Sequence, residues 1–254
     1  MDGLTEFEKL YQLNTMVLTD SAPVANGPLP VYLFTETPDN QESVLKRASI
    51  LHHRGRASHV LLIDNLGGSR PGYPGCPPWE KRLGELRIPS QKIVTIPFTA
   101  PVLHTLSEAC AMVEFAKKNG WNAVTIVFPP FHGSRCFLSA ITAVRHLNPG
   151  MLVYCEVGTT EPWHGHAVHS QNVVQGLRKD LVVGELRRIK RYQRKNVFLR
   201  LLTDGVLFLK ASLRDGTLFQ KLRNIRHYAK QGSPMPLCST EDALAYLEWR
   251  DTTK

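Results

Sequence analysis

Hydrophobic and polar positions follow two alternating rhythms through the first 157 residues. Short, nearly continuous apolar runs stand at Pro30–Glu36 (PVYLFTE), Ser58–Asp64 (SHVLLID), Lys92–Phe98 (KIVTIPF), Ala123–Phe128 (AVTIVF) and Met151–Val157 (MLVYCEV). Between them, apolar residues recur at helical spacing. NQESVLKRASILHHR is stopped by Gly55, WEKRLGELRI is short, a third stretch runs from Thr105 to about Gly120, and a fourth from about Ser134 to Leu147. Thr105 followed three residues later by Glu108 has the form of a capping box. Strands that are apolar throughout, separated by amphipathic helices, predict an α/β fold with a parallel sheet of about five strands and helices on both faces.

After Val157 the rhythm changes. GTTEPWHGHAVHSQ is polar and rich in histidine, so it reads as a loop. The rest predicts helices over about 173–195, in pieces of 198–230 and over Glu241–Arg250, the last preceded by the Pro/Gly linker KQGSPMPL. This divides the chain into an α/β domain over 1–160 and a helical C-terminal extension over 161–254 packed on it. Between the second strand and the next helix, NLGGSRPGYPGCPP predicts a long loop, a flap over the sheet edge with Arg70 able to touch an anion. It contains neither G-K-[ST] nor G-x-G-x-x-G, so neither a Walker loop nor a classical NAD site is expected.

Composition narrows the class. Apolar content of 43% and charged content of 21% describe an ordinary globular chain. No segment approaches the roughly 18 consecutive apolar residues of a transmembrane helix. The N-terminal MDGLTEFEKLYQLN carries acids and does not read as a signal peptide. Five scattered cysteines without a C-x-x-C pair predict reduced thiols and a cytoplasmic setting. Formal charge is +9, and nine Lys/Arg against Asp180 and Glu185 concentrate +7 of it within 178–200.

Candidate chemistry centres on PPFHGSR, where a strand hands over to a helix. In open parallel sheets ligands bind beyond the carboxyl ends of the strands, against helix N-termini that favour anions. Ser134 is a candidate N-cap, Arg135 a donor fork for phosphate or carboxylate, and His132 a donor or general acid/base. The competing expectation is that His132 and Ser134 only satisfy loop and cap hydrogen bonds while Arg135 points to solvent.

The stretch HTLSEACAMVEFAKKNGWNAVTIVFPPFHGSR resembles the core of the YdcF-like family, bacterial α/β proteins of undefined chemistry whose relatives include SanA and ElyC. Thr105, Glu108, His132 and Arg135 match its pattern. LKRASILHHRGRASHVLLID resembles its first helix and second strand, with Arg47 at the family's arginine, and the likeness covers about 30–157. The resemblance implies a Rossmann-like fold and a ligand pocket formed by Thr105, Glu108, His132, Ser134 and Arg135, with Arg47, Asp64 and Asn65 contributing. In it His132 and Glu108 would be the groups that act on substrate. The chain departs from the family in carrying Phe34-Thr35-Glu36 after the first strand, Asp64-Asn65 after the second, and Gly133 where methionine commonly follows the histidine. The expected ligand is a small anionic metabolite, nucleotide-like or phosphorylated, and the expected reaction, if any, hydrolysis or transfer; no cofactor is specified.

Two other constellations compete. His164, His166 and His169 have a spacing that can ligate zinc, as in a metal-dependent hydrolase, or they belong to a solvated loop. The basic helix within 178–200 either packs an apolar stripe (Leu181, Val182, Glu185, Leu186, Ile189, Tyr192) and shows a solvated cationic face, or binds nucleic acid or an anionic membrane surface. Neither binding partner is favoured, since no nucleic-acid-binding motif accompanies the charge.

Overall fold

The five apolar runs are five strands of a single sheet. The computed structural model describes residues 3–35, 38–64, 75–98, 104–169, 174–193 and 235–253. In chain order the elements are α1 (Glu6–Thr19), β1 (Leu29–Leu33), α2 (Pro38–His53), β2 (Ala57–Asp64), α3 (Cys76–Glu85), β3 (Ile93–Pro97), α4 (Thr105–Lys118) and β4 (Ala123–Phe128). They continue with α5 (Gly133–Leu147), β5 (Leu152–Val157), β6 (His166–His169), β7 (Val174–Leu177), α6 (Arg178–Tyr192) and α7 (Thr240–Thr252). The sheet order is β3-β2-β1-β4-β5, all parallel. This is the Rossmann-like α/β architecture that the alternating pattern predicts.

The chain starts in the middle of the sheet at β1, moves outward to β3, then returns to β4 beside β1 and moves out the other way. Right-handed crossovers therefore set α2 and α3 on one face and α4 and α5 on the other, and each pair packs together. The reversal leaves a crevice between β1 and β4 at their carboxyl ends, the topological switch point of such sheets. Helix α5 is buried from Gly133 to Val144. Gly133 is required there by space: a β-carbon on it would lie 2.6 Å from the ring of Phe128.

Among the described residues, the edge strand β5 is covered by side chains rather than by another strand. Tyr246 of α7 accepts from the Val153 N–H (2.7 Å) and donates to the Met151 carbonyl (2.9 Å). Arg250 donates to the Val153 carbonyl at 2.9 Å, and Asp20 accepts from the Cys155 N–H at 2.8 Å. Arg250 and Asp20 also pair with each other at 2.7 Å. These contacts satisfy backbone groups that an open edge would leave to water or to another chain.

Sequence and structure differ in four places. The N-terminal helix α1 escapes the apolar pattern, yet Thr5 and Glu8 form a capping box on it. Strand β1 ends at Leu33, short of Glu36. The capping box of α4 lies one residue earlier than the pattern indicates: the N-cap is His104, paired with Ser107. The helix expected from about residue 173 begins at Arg178, because 174–177 pair antiparallel with 166–169 as a hairpin. Two four-residue strands carry too short an alternation to stand out from a polar loop. The helical pieces expected within 198–230, and the flap with Asn65 and Arg70, lie outside the described residues.

Candidate active site at the carboxyl edge of the sheet

The site is assembled from the first turns of two packed helices and the inner face of a third. Helix α4 brings Thr105 and Glu108, which are buried because the capping work falls to His104 and Ser107 and leaves these two side chains to turn inward. The single helical turn after β4 brings His132, and α5 brings Arg135. Above them lies α6, with Leu181, Glu185 and Ile189 on its buried stripe and Lys179, Arg187 and Lys190 exposed.

Glu185 is the hub. Its Oε2 accepts from His132 Nδ1 at 2.6 Å and from Arg135 Nε at 2.5 Å, while Oε1 takes Arg188 Nη1 at 3.0 Å. Arg135 Nη1 donates to Thr105 Oγ1 at 2.7 Å, and its Nη2 lies 3.4 Å from Glu185 Oε1. Glu185, His132 and Arg135 are 3%, 1% and 8% exposed. At such burial an unpaired charge would cost several kcal/mol, so the cluster persists only because each charged group meets a complementary one. Facing a carboxylate, His132 Nδ1 acts as the donor. Below the cluster, Tyr32 of β1 donates to Glu108 Oε2 at 3.3 Å, tying the site to the central strand.

The structure thus unites Thr105, His132 and Arg135 in one hydrogen-bonded network, with Glu108 anchored to Tyr32 beneath it. The other predicted residues stand apart. Ser134 is not the N-cap of α5; its hydroxyl donates to Asn14 of α1 at 2.8 Å. Arg47 donates to the Val157 carbonyl at 2.6 Å and lies 4.0 Å from Glu156, tethering the end of β5. Asp64 is the half-buried last residue of β2, opposite Pro97. Near it the Cys76 thiol is pushed up to about 12, first by burial and then by the Asp64 charge, which makes it a packing group rather than a nucleophile.

Of the histidine cluster, His164 and His166 are exposed and His169 closes β6. Among the described residues, no group of three or more His, Cys, Asp or Glu could hold a metal ion. No helix among them is long and apolar enough to cross a membrane. The five cysteines are free thiols.

Sequence reading missed Glu185 and Tyr32 as site residues. Glu185 does carry a signal: it is an acid inside a basic run, at helical spacing between Leu181 and Ile189. An acid on an apolar stripe is expected to meet a buried cation.

Beside the network, at the switch point, lies a cleft between Asn40 and Ser43 of α2, Phe131 after β4, and Trp163 and Arg178 from the covering segment. Its space is about 10 Å³, room for roughly one water. Arg178 is buried over it, donates to the Pro162 carbonyl at 3.3 Å, and fits because Gly165 has no side chain; a β-carbon there would meet Arg178 Nη1 at 2.6 Å. The covering segment rests on a small apolar cluster of Phe131, Ala167 and Leu181, with Val182 packed against it, separate from the main core that Ile189 joins.

No family model matches the chain, and neither a curated protein nor a solved structure matches it.

Proposed function

We propose that the chain is a cytoplasmic YdcF-like protein that binds a small anionic metabolite, nucleotide-like or phosphorylated, at the carboxyl edge of its sheet. The observation that carries this reading is the burial of a guanidinium, Arg135, hydrogen-bonded to Thr105 and sharing one carboxylate with His132, beside the switch point. Packing a core does not call for such groups, and open sheets of this order bind ligands at that edge. Arg135 offers a planar donor fork to a phosphate or carboxylate, Thr105 fixes the fork, and Asn40, Ser43 and Arg178 add polar groups across the crevice. Turnover in such a site would be hydrolysis or transfer at a phosphate or glycosyl centre, with His132 moving the proton and Glu108 orienting the site through Tyr32.

A thermal-shift screen with nucleotides and phosphorylated metabolites tests the reading. A genuine ligand raises Tm in the native protein and by much less in His132→Gln and Arg135→Lys, substitutions that retain hydrogen-bonding capacity. A ligand whose shift survives both substitutions together would show that the site lies elsewhere.

A further inference from the structure

Glu185 stands where the anionic group of a ligand would stand. Its carboxylate takes the two guanidinium edge positions, Nε and Nη2 of Arg135, at 2.5 and 3.4 Å, together with His132 Nδ1 at 2.6 Å. These are the side-on fork and neighbouring donor by which a protein holds a carboxylate or a phosphate oxygen pair. A ligand anion and Glu185 cannot both occupy them. Among the described residues, the crevice beside the network offers about 10 Å³, room for roughly one water while α6 is seated.

Helix α6 is seated unevenly. Its C-terminal half places Ile189 in the main core, whereas, among the described residues, its N-terminal half packs Leu181 into the small cluster with Phe131 and Ala167. Segments with few buried apolar contacts are the ones that open at low free energy. Arg188 lies one turn beyond Glu185 on the same helix and holds its Oε1 at 3.0 Å, so a partner for the carboxylate travels with it when it leaves Arg135. Glu185 therefore need not enter water uncompensated.

We propose that Glu185 is an internal competitor for the anion site, and that α6 closes the site by lodging this carboxylate on Arg135 and His132 until a ligand anion displaces it. The proposal rests on the anionic-ligand reading of the same site. Its consequence is quantitative: when the competent state is a small fraction of the population, apparent affinity falls by that fraction. Removing the competing charge while keeping the shape restores the affinity.

The test compares the native chain, Glu185→Gln and Glu185→Asp, with inorganic phosphate and acetate as probes, by calorimetry and by the anion-induced rise in Tm. Glu185→Gln is expected to bind a probe about tenfold more tightly or better than the native chain. Glu185→Asp, shorter by one methylene but still charged, is expected to fall between them and serves if Glu185→Gln folds poorly. Preference for phosphate or acetate identifies which anion the fork accepts. The control is Glu185→Gln with Arg135→Met, which is expected to lose the gain. Equal or weaker binding in both Glu185 variants, with binding still lost on Arg135→Met, overturns the competitor and leaves the anion site standing. Binding that persists in the Arg135→Met double variant overturns the site itself. Failure of both probes to bind native and Glu185-substituted protein overturns both.

Discussion

Two buried arginines, Arg250 and Arg135, each meet a carboxylate inside this protein, and their surroundings differ in kind. Arg250 and Asp20 sit on the outer edge of β5, where Arg250 also donates to the Val153 carbonyl, Asp20 accepts from the Cys155 N–H, and the guanidinium lies 4.7 Å over the Tyr154 ring. These partners tie the guanidinium to the sheet edge, and the exposed Asp251 beside it on α7 adds a further carboxylate at 2.9 Å. Arg135 and Glu185 sit at the carboxyl edge, where the pair meets the side chains of His132, Thr105 and Arg188. An ion pair woven into backbone groups holds a fold together, because backbone donors and acceptors persist whatever the side chains do. An ion pair among side chains can be exchanged for another anion without unpairing the backbone. The first arrangement is a clamp, and the second is a socket.

The largest expected effect tests the clamp. Asp20→Ala takes from the buried Arg250 guanidinium its buried carboxylate, with the exposed Asp251 still beside it at 2.9 Å, and uncaps the Cys155 N–H, so it should lower stability by about 3 kcal/mol in urea unfolding. A loss below about 1 kcal/mol would mean that the edge is held by α7 packing alone, and the contrast would fail.

A sharper test replaces both members of each pair. Arg135→Met and Glu185→Met should each be costly alone, whereas the double variant should recover part of the loss, since an apolar pair of similar volume can replace a buried ion pair while His132 and Arg188 still lose their carboxylate. Asp20→Leu with Arg250→Leu should not recover, because the Val153 carbonyl and Cys155 N–H remain unmet, at about 1–3 kcal/mol each. If the two double variants behave alike in denaturation, the distinction between clamp and socket is lost.

The smallest effect concerns the surface joint between α1 and α7, where Lys9 meets Glu241 at 2.6 Å. The hydrogen bond from Lys9 holds the Glu241 carboxyl down from the ordinary 4.5 to about 2. A carboxyl lowered on folding stabilises the protein above its unfolded value, and that contribution is lost as pH falls from about 4.5 towards about 2. Lys9→Met should therefore flatten the acid limb of the stability profile slightly while leaving Arg135-dependent anion binding untouched. An unchanged acid limb would assign the acid sensitivity to other carboxyls.

The architecture was legible because its determinants are local. Five apolar runs separated by amphipathic stretches define strands and helices through periodicity alone, and four of the five sheet strands match their runs to within two residues at either end. Part of the site was legible for a related reason: His132 and Arg135 follow a strand end, and Thr105 and Glu108 open the next helix along the sheet, so topology brings them together. Ser134 misled because a hydroxyl at a strand–helix junction resembles a cap, whereas Asn14 of a helix 120 residues away claims it. The hairpin β6–β7 was illegible because pairing between 166–169 and 174–177 is decided by the partner strand, not by either short segment.

By itself, then, the sequence determined the α/β layout, the place along the sheet where chemistry-bearing residues gather, and the concentration of charge in one helix. Periodicity and net charge are properties of neighbouring residues and need no partner to be read. Only the tertiary structure decided that α6 turns Glu185 inward onto Arg135 and His132, 50 and 53 residues earlier in the chain. That choice rests on desolvation: a guanidinium and an imidazole enclosed at the sheet edge require a carboxylate, and the fold delivers the one acid on the buried stripe of its most basic helix.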